Sequence, residues 1–191
     1  MIKPVAIIAG EPNSISSEIF FDYENYLLKQ KAFLNKLEER VNASVNIRAK
    51  EYNSINSQKM NALFNNYKFT NTTIDFYSDL RTSKLVIATY NSTVFLQCLY
   101  QNVPVLMFIH LDEYKVRNSE SKFFMELIEN QIVFFDNDKL SKHINSIWDN
   151  VMKWWNEEKL QLILSKYKSK MAYENKNLIK DISSTIKNNI K

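Results

Sequence analysis

The chain of 191 residues is 45% hydrophobic and 24% charged, the proportions of an ordinary globular protein, with length for one domain or at most one and a half. A formal charge of +4, with Lys and Glu interspersed until the tail, does not call for a nucleic-acid partner, and Cys98 as the only cysteine excludes an internal disulfide framework or a cysteine-based zinc site. No window approaches the roughly 18 apolar residues of a membrane span, and the run Val5 to Ala9 is too brief for a secretory signal, so a cytoplasmic setting with at most peripheral membrane association is expected.

Val5 to Ala9 reads as a buried strand, with Gly10-Glu11-Pro12-Asn13-Ser14 as the loop that leaves it. From about Glu18 to Arg40 the pattern is helical, with Phe20, Tyr23, Leu27, Gln30, Leu34 and Leu37 on one core-facing stripe. Val45-Asn46-Ile47-Arg48 alternates like a short strand and delivers Arg48 to its end. A helix over about Ser54 to Asn65, with Ile55, Met60, Leu63 and Phe64 inward, returns the chain. Thr73 to Thr82 then reads as a short helix that buries Phe76, Tyr77 and Leu80.

The stretch Leu85 to Phe108 organises the rest. Leu85-Val86-Ile87-Ala88 is an apolar run too short for a buried helix. The polar tetrad Thr89-Tyr90-Asn91-Ser92 follows, then a helix with Val94, Phe95, Cys98 and Leu99 on one face, then the apolar run Val105 to Ile109. After the loop His110 to Asn118 come a helix over about Ser119 to Asn130 and a strand at Ile132 to Phe135. A helix capped by Asp136 or Asn137 carries Leu140, Ile144, Ile147 and Trp148 inward, and a last helical stretch runs from Asn156 to the lysine-rich end. Sustained alternation of strand and helix predicts a three-layer α/β domain with a mostly parallel sheet over residues 1–155, with 156–191 as a helical extension packed on it.

In such a sheet the loop after Ala88 stands at the carboxyl end of a strand, where α/β sheets hold ligands. Asn91, Ser92 and Thr93 at the helix start combine short polar side chains with free amides, a setting for an anion as well as for a plain helix cap. The reading is a phosphate-bearing, nucleotide-linked ligand. Gln97, four residues after Thr93, is in place for a sugar hydroxyl. Arg48 and Arg117, each near a strand end, are candidates to neutralise a diphosphate through charge-assisted bonds. Lys59 is a weaker candidate. His110, just past Ile109, stands where a general base belongs, whereas His143 lies beside an apolar stripe as packed core histidines do. Two histidines without HxH or HExxH spacing give a metal site no support, and a single glycine excludes a glycine-rich phosphate cradle. Tight loops must then use Asn, Asp and Ser. Trp148, Trp154 and Trp155 are expected to pin the C-terminal helices to the sheet.

Leu85 to Phe108, with IWDNVMKWWNEEKLQ at Ile147 to Gln161, closely resembles the C-terminal part of a family of bacterial transferases from surface-carbohydrate gene clusters. The likeness runs from about Tyr26 to Tyr173. Its strongest pieces are Tyr90 to Thr93, Asn102-Val103-Pro104, Arg117 with Ser119, and His143 with the tryptophan segment. Members look like two-domain glycosyltransferases of the GT-B kind. The resemblance therefore implies a Rossmann-like donor-binding domain in which Asn91, Ser92, Thr93 and Arg117 line the site of a nucleotide-linked sugar, with Arg48 nearby and no cofactor. Where the family has an acidic residue this chain has Gln97. The family also carries an N-terminal acceptor domain, so the expectation here is a donor-binding half that lacks it, or alternatively a non-catalytic binding or assembly module that pairs with a separately encoded acceptor domain. The opening KPVAIIAGEPNSISSEIF, by contrast, is similar to the start of 4-hydroxythreonine-4-phosphate dehydrogenases at Gly10-Glu11-Pro12 and Glu18.

Overall fold

A computed structural model describes residues 5–9, 23–49, 55–70, 75–90, 93–109, 121–171 and 177–189. Six strands form one parallel sheet: β1 (Val5–Ala9), β2 (Val45–Ala49), β3 (Lys68–Phe69), β4 (Leu85–Ala88), β5 (Val105–Phe108) and β6 (Val133–Phe134). Their spatial order is β3-β2-β1-β4-β5-β6. The two halves of the sheet wind outward in opposite directions from the boundary between β1 and β4, which is the Rossmann arrangement.

The register is continuous across the sheet. Arg48 aligns with Ile8, Ile8 with Ala88, Ala88 with Met107, and Met107 with Val133. Every residue of β4 and β5 is buried, as the central strands of a parallel sheet covered on both faces must be. The edge strands β3 and β6 have two residues each. Both residues of β3 are exposed, and a short edge that opens on Lys68 offers little template for pairing with another chain.

Right-handed crossovers put α1 (Tyr23–Leu34) and α3 (Ile55–Leu63) on one face, and α5 (Thr93–Tyr100) and α6 (Ser121–Glu129) on the other. After β6 the chain returns through α7 (Asn137–Ile147), which packs on α1, while α9 (Glu158–Met171) packs on α5 and α6. The helix expected over Glu18 to Arg40 divides. Helix α1 ends at Leu34, the chain turns with Leu37 buried, and α2 (Glu39–Asn42) follows. The turn is tied to α7: the Glu38 amide donates to Asn145 Oδ1, Lys36 pairs with Asp138, and Arg40 pairs with Asp149 just beyond α7. The buried side of α1 also differs from the expected stripe, since Tyr26 and Phe33 join Leu27, Gln30 and Leu34 in the interior. The Phe33 ring lies 5.8 Å from that of Phe108.

Two helix ends show how a chain with so little glycine turns sharply. Asn102 ends α5 with φ 53°, its amide reaching Leu99 while the Val103 amide reaches the Cys98 carbonyl at 2.8 Å. This is a Schellman cap, and Pro104 next to it stops the helix. The Trp155 indole N–H donates to Asn102 Oδ1 at 3.0 Å, so α8 (Val151–Trp155) is pinned to the end of α5. Gln131 makes the same cap after α6 with φ 59°, a position where Asn, Asp or Ser was expected. Asp136 caps α7 by accepting from the Lys139 amide at 2.8 Å. The final helical stretch comprises α9 and α10 (Leu178–Asn189).

Candidate functional site

The strand order reverses between β1 and β4, and the carboxyl edge at that boundary is where an open α/β sheet has its ligand crevice. Strand β4 stops at Ala88, Thr89 follows fully buried, and Thr93 begins α5 with its side chain exposed. The first amides of any helix lack intrahelical acceptors and carry the positive end of its dipole. At α5 these are the amides of Thr93 and the residues after it. The Tyr26 hydroxyl from α1 and Thr89 Oγ1, just past β4, share a buried 2.6 Å hydrogen bond. It couples the helix after β1 to the chain leaving β4, on either side of the crevice. Asn91, Ser92, Arg117 and His110 lie outside the described residues, as do Gly10 to Ser14 and Glu18.

Arg48 sits at the penultimate position of β2, level with Ala88 across two strand spacings, about 10 Å. Its Nη1 donates to Asp79 Oδ2 on α4 (Phe76–Thr82) at 3.0 Å, and its guanidinium lies 5.4 Å from the centre of the Phe76 ring. The pair is largely withdrawn from water, with side-chain exposures of 12% and 14%. Arg48 thus ties β2 to α4 from within the ligand edge, and an anion arriving there would share the guanidinium with Asp79.

Gln97 is half-buried on α5 and donates a long 3.5 Å hydrogen bond to the Tyr77 hydroxyl. Tyr77 was expected to be buried, but it lies 44% exposed and brings its hydroxyl to the α4–α5 interface. The inward side of that short helix is filled by Leu80, while Phe76 is spent on Arg48. Lys59 forms an exposed ion pair with Glu24 at 3.2 Å.

His143 is packed between Phe134 and Trp154, with ring centres 5.3 Å from each, and burial pushes its pKa down to about 4. It belongs to the packing of α7 and the edge strand β6, away from the β4–α5 turn. Trp148 and Trp155 are buried as expected of pins for the C-terminal helices. Cys98 is fully buried and its thiol is pushed up to about 12, so it carries no nucleophilic chemistry at neutral pH. Among the described residues no group of three or more His, Cys, Asp or Glu side chains converges as a metal site would, and no helix is long and apolar enough to cross a membrane.

One cavity, of about 380 Å³, lies at the opposite, amino edge of the sheet and is lined by Lys31, Asn35, Asn42, Tyr67 and Lys68 among others. Lys31 stands in the last turn of α1, where a cation offsets the negative end of the helix dipole, and the cavity does not bear on the crevice. Tyr26, Asp79 and Tyr77 are the residues around the crevice that sequence reasoning missed. Their partners lie 63, 31 and 20 positions away, so no local spacing announces them.

A search of curated proteins gives no significant match. Among solved structures the fold is similar to the catalytic domain of cholesterol-alpha-glucosyltransferase from Helicobacter pylori, at 13% identity and a TM-score of 0.50, covering 89% of this chain and 99% of that one. It is also similar to a protein assigned as a UDP-N-acetylglucosamine 2-epimerase from Listeria monocytogenes, at 14% identity and a TM-score of 0.50, covering 91% of this chain and 46% of that one. Identities this low establish a shared fold and nothing finer. The sequence itself carries the assignment, because residues 9–186 match the LIC12162 family transferase: the chain belongs to that family of transferases.

Proposed function

We propose that this chain is the donor-binding half of a glycosyltransferase that uses a nucleotide-linked sugar in the cytoplasm to build surface polysaccharide, with residues 1–155 as the binding domain and 156–191 as its helical extension. The observation that carries the reading is the start of α5 after β4, at the boundary between β1 and β4, with Thr93 exposed there. Membership of a transferase family and a fold shared with a glucosyltransferase catalytic domain support it.

In this reading the α5 amides, with Asn91, Ser92 and Thr93, hold the diphosphate, while Arg117 and Arg48 offset its charge and Gln97 meets a sugar hydroxyl. As the acceptor hydroxyl oxygen bonds to the anomeric carbon and gives up its proton to a base, the bond to the phosphate oxygen breaks and the nucleoside diphosphate leaves with the electron pair. Donors fixed where that negative charge grows favour the transition state over the bound substrate. Titration with a panel of nucleotide sugars tests the proposal. One donor should bind saturably and Arg117→Ala should abolish binding, whereas binding by none, or binding indifferent to that change, refutes it.

A second reading is a non-catalytic binding or assembly module that pairs with a separate acceptor-binding domain; the chain spans 46% of the epimerase it resembles but 99% of the glucosyltransferase catalytic domain. Transfer activity by the isolated chain would exclude that reading.

A further inference from the structure

The C-terminal helices carry a surface that the nucleotide crevice does not use. In α10 the side chains of Ile179, Ile182 and Ile186 recur at helical spacing and are 85%, 50% and 51% exposed. All other described side chains of that helix are exposed as well, so the stripe is uncovered among the described residues. Uncovered isoleucine on a regular three-four spacing is costly in water and marks a contact surface.

Charge indicates what the contact is. Residues 158–191 contain eight lysines and three acids, a net of +5, against +4 for the whole chain, so the other 157 residues carry 17 basic and 18 acidic groups, a net of −1. On α9 the buried side is Leu160, Ile163, Leu164 and Tyr167, and the outward side presents Lys159, Leu162, Lys166 and Lys170. Among the described residues none of these lysines forms an ion pair, whereas Lys36, Arg40, Arg48 and Lys59 all do. A protein interface core is depleted in lysine. Exposed lysines in the same C-terminal stretch as an amphipathic helix instead suit a surface of diffuse negative charge over a hydrocarbon layer.

We propose that α10 lies in the interface of an anionic lipid bilayer, its isoleucine stripe among the acyl chains and Lys159, Lys166 and Lys170 of α9 against the headgroups. The inference is independent of what the crevice binds. Co-sedimentation with vesicles of phosphatidylcholine containing 30% phosphatidylglycerol, beside vesicles of phosphatidylcholine alone, tests it. The full chain should partition onto the anionic vesicles at least about tenfold better than onto the neutral ones, and high salt should release it. Ile182→Asn with Ile186→Asn should weaken partitioning by about tenfold or more, with an unchanged circular dichroism spectrum in solution because both side chains are exposed. Absence of partitioning, or partitioning indifferent to the isoleucines, overturns the proposal. So does a lipid-free dimer or hetero-complex that the same substitutions dissolve, because the stripe would then be a protein interface.

Discussion

Acidification should destabilise this protein through His143. The imidazole sits between Phe134 and Trp154 with Nε2 buried and without a hydrogen-bond partner, and its pKa falls from 6.5 to about 4. The folded chain therefore holds the neutral ring while the unfolded chain takes up a proton at ordinary pH. The fold keeps its full stability above pH 6.5, loses it progressively as the pH drops towards 4, and loses no more to this residue below that. At about 1.4 kcal/mol per pH unit the loss comes to roughly 3 kcal/mol across the window. With a urea slope of about 2 kcal/mol/M, the midpoint should drop by roughly 1.5 M between pH 7 and pH 4. Asp138 beside Lys36 and Asp149 beside Arg40 are held below the usual carboxylate range, but both are exposed and weaken only at the acid end. The comparison that isolates the histidine is His143→Phe, which fills the same space without a titrating group. Its stability at pH 7 should match wild type within about 1 kcal/mol. Its midpoint should then be nearly flat from pH 6.5 to 4.5 where wild type falls. Parallel curves for the two proteins would refute the packing described for this ring.

The ion pair at the ligand edge gives a second expectation. Asp79→Asn leaves a largely buried guanidinium short of its counter-charge and should cost about 2–4 kcal/mol in urea unfolding, while the double change Arg48→Met with Asp79→Leu should recover most of it. A cost no greater than that of an exposed pair such as Lys59–Glu24 would show that Arg48 is not anchored there. At the second Schellman cap, stability should rank Gln131→Gly above wild type and wild type above Gln131→Val, over about 1–2 kcal/mol, because φ is 59°. The reverse order would mean that the turn is not left-handed.

Periodicity made the centre of this fold legible and the periphery much less so. Strands β4 and β5 and the helix between them stand out in the sequence because both strands are buried on both faces, which demands unbroken apolar runs. The Asp136 cap was readable for a similar reason, since the side chain that satisfies the amide lies three residues from it. Strand β3 has two exposed residues, too few for any alternation to register. The break in the first predicted helix follows from tertiary ties between Lys36, Glu38 and Arg40 and residues more than a hundred positions away. Tyr77 looked apolar enough for the core, but a seven-residue helix already occupied by Leu80 and by the Phe76 contact had no inward place for it.

The candidate site divides along the same line. That a helix start follows β4 could be read locally, and so could the placing of Arg48 near a strand end. The commitment of Arg48 to Asp79 could not, nor could the bond from Tyr26 to Thr89 that links the two sides of the crevice.

Backbone amide shifts on adding a nucleoside diphosphate sugar test the central claim most directly. The account predicts that the largest changes fall on Thr93, Val94 and Phe95 at the start of α5, with smaller ones at Arg48, and that inorganic pyrophosphate reproduces the first group. Changes clustered instead around Lys31 and Lys68 at the amino edge, or none along α5, would contradict it.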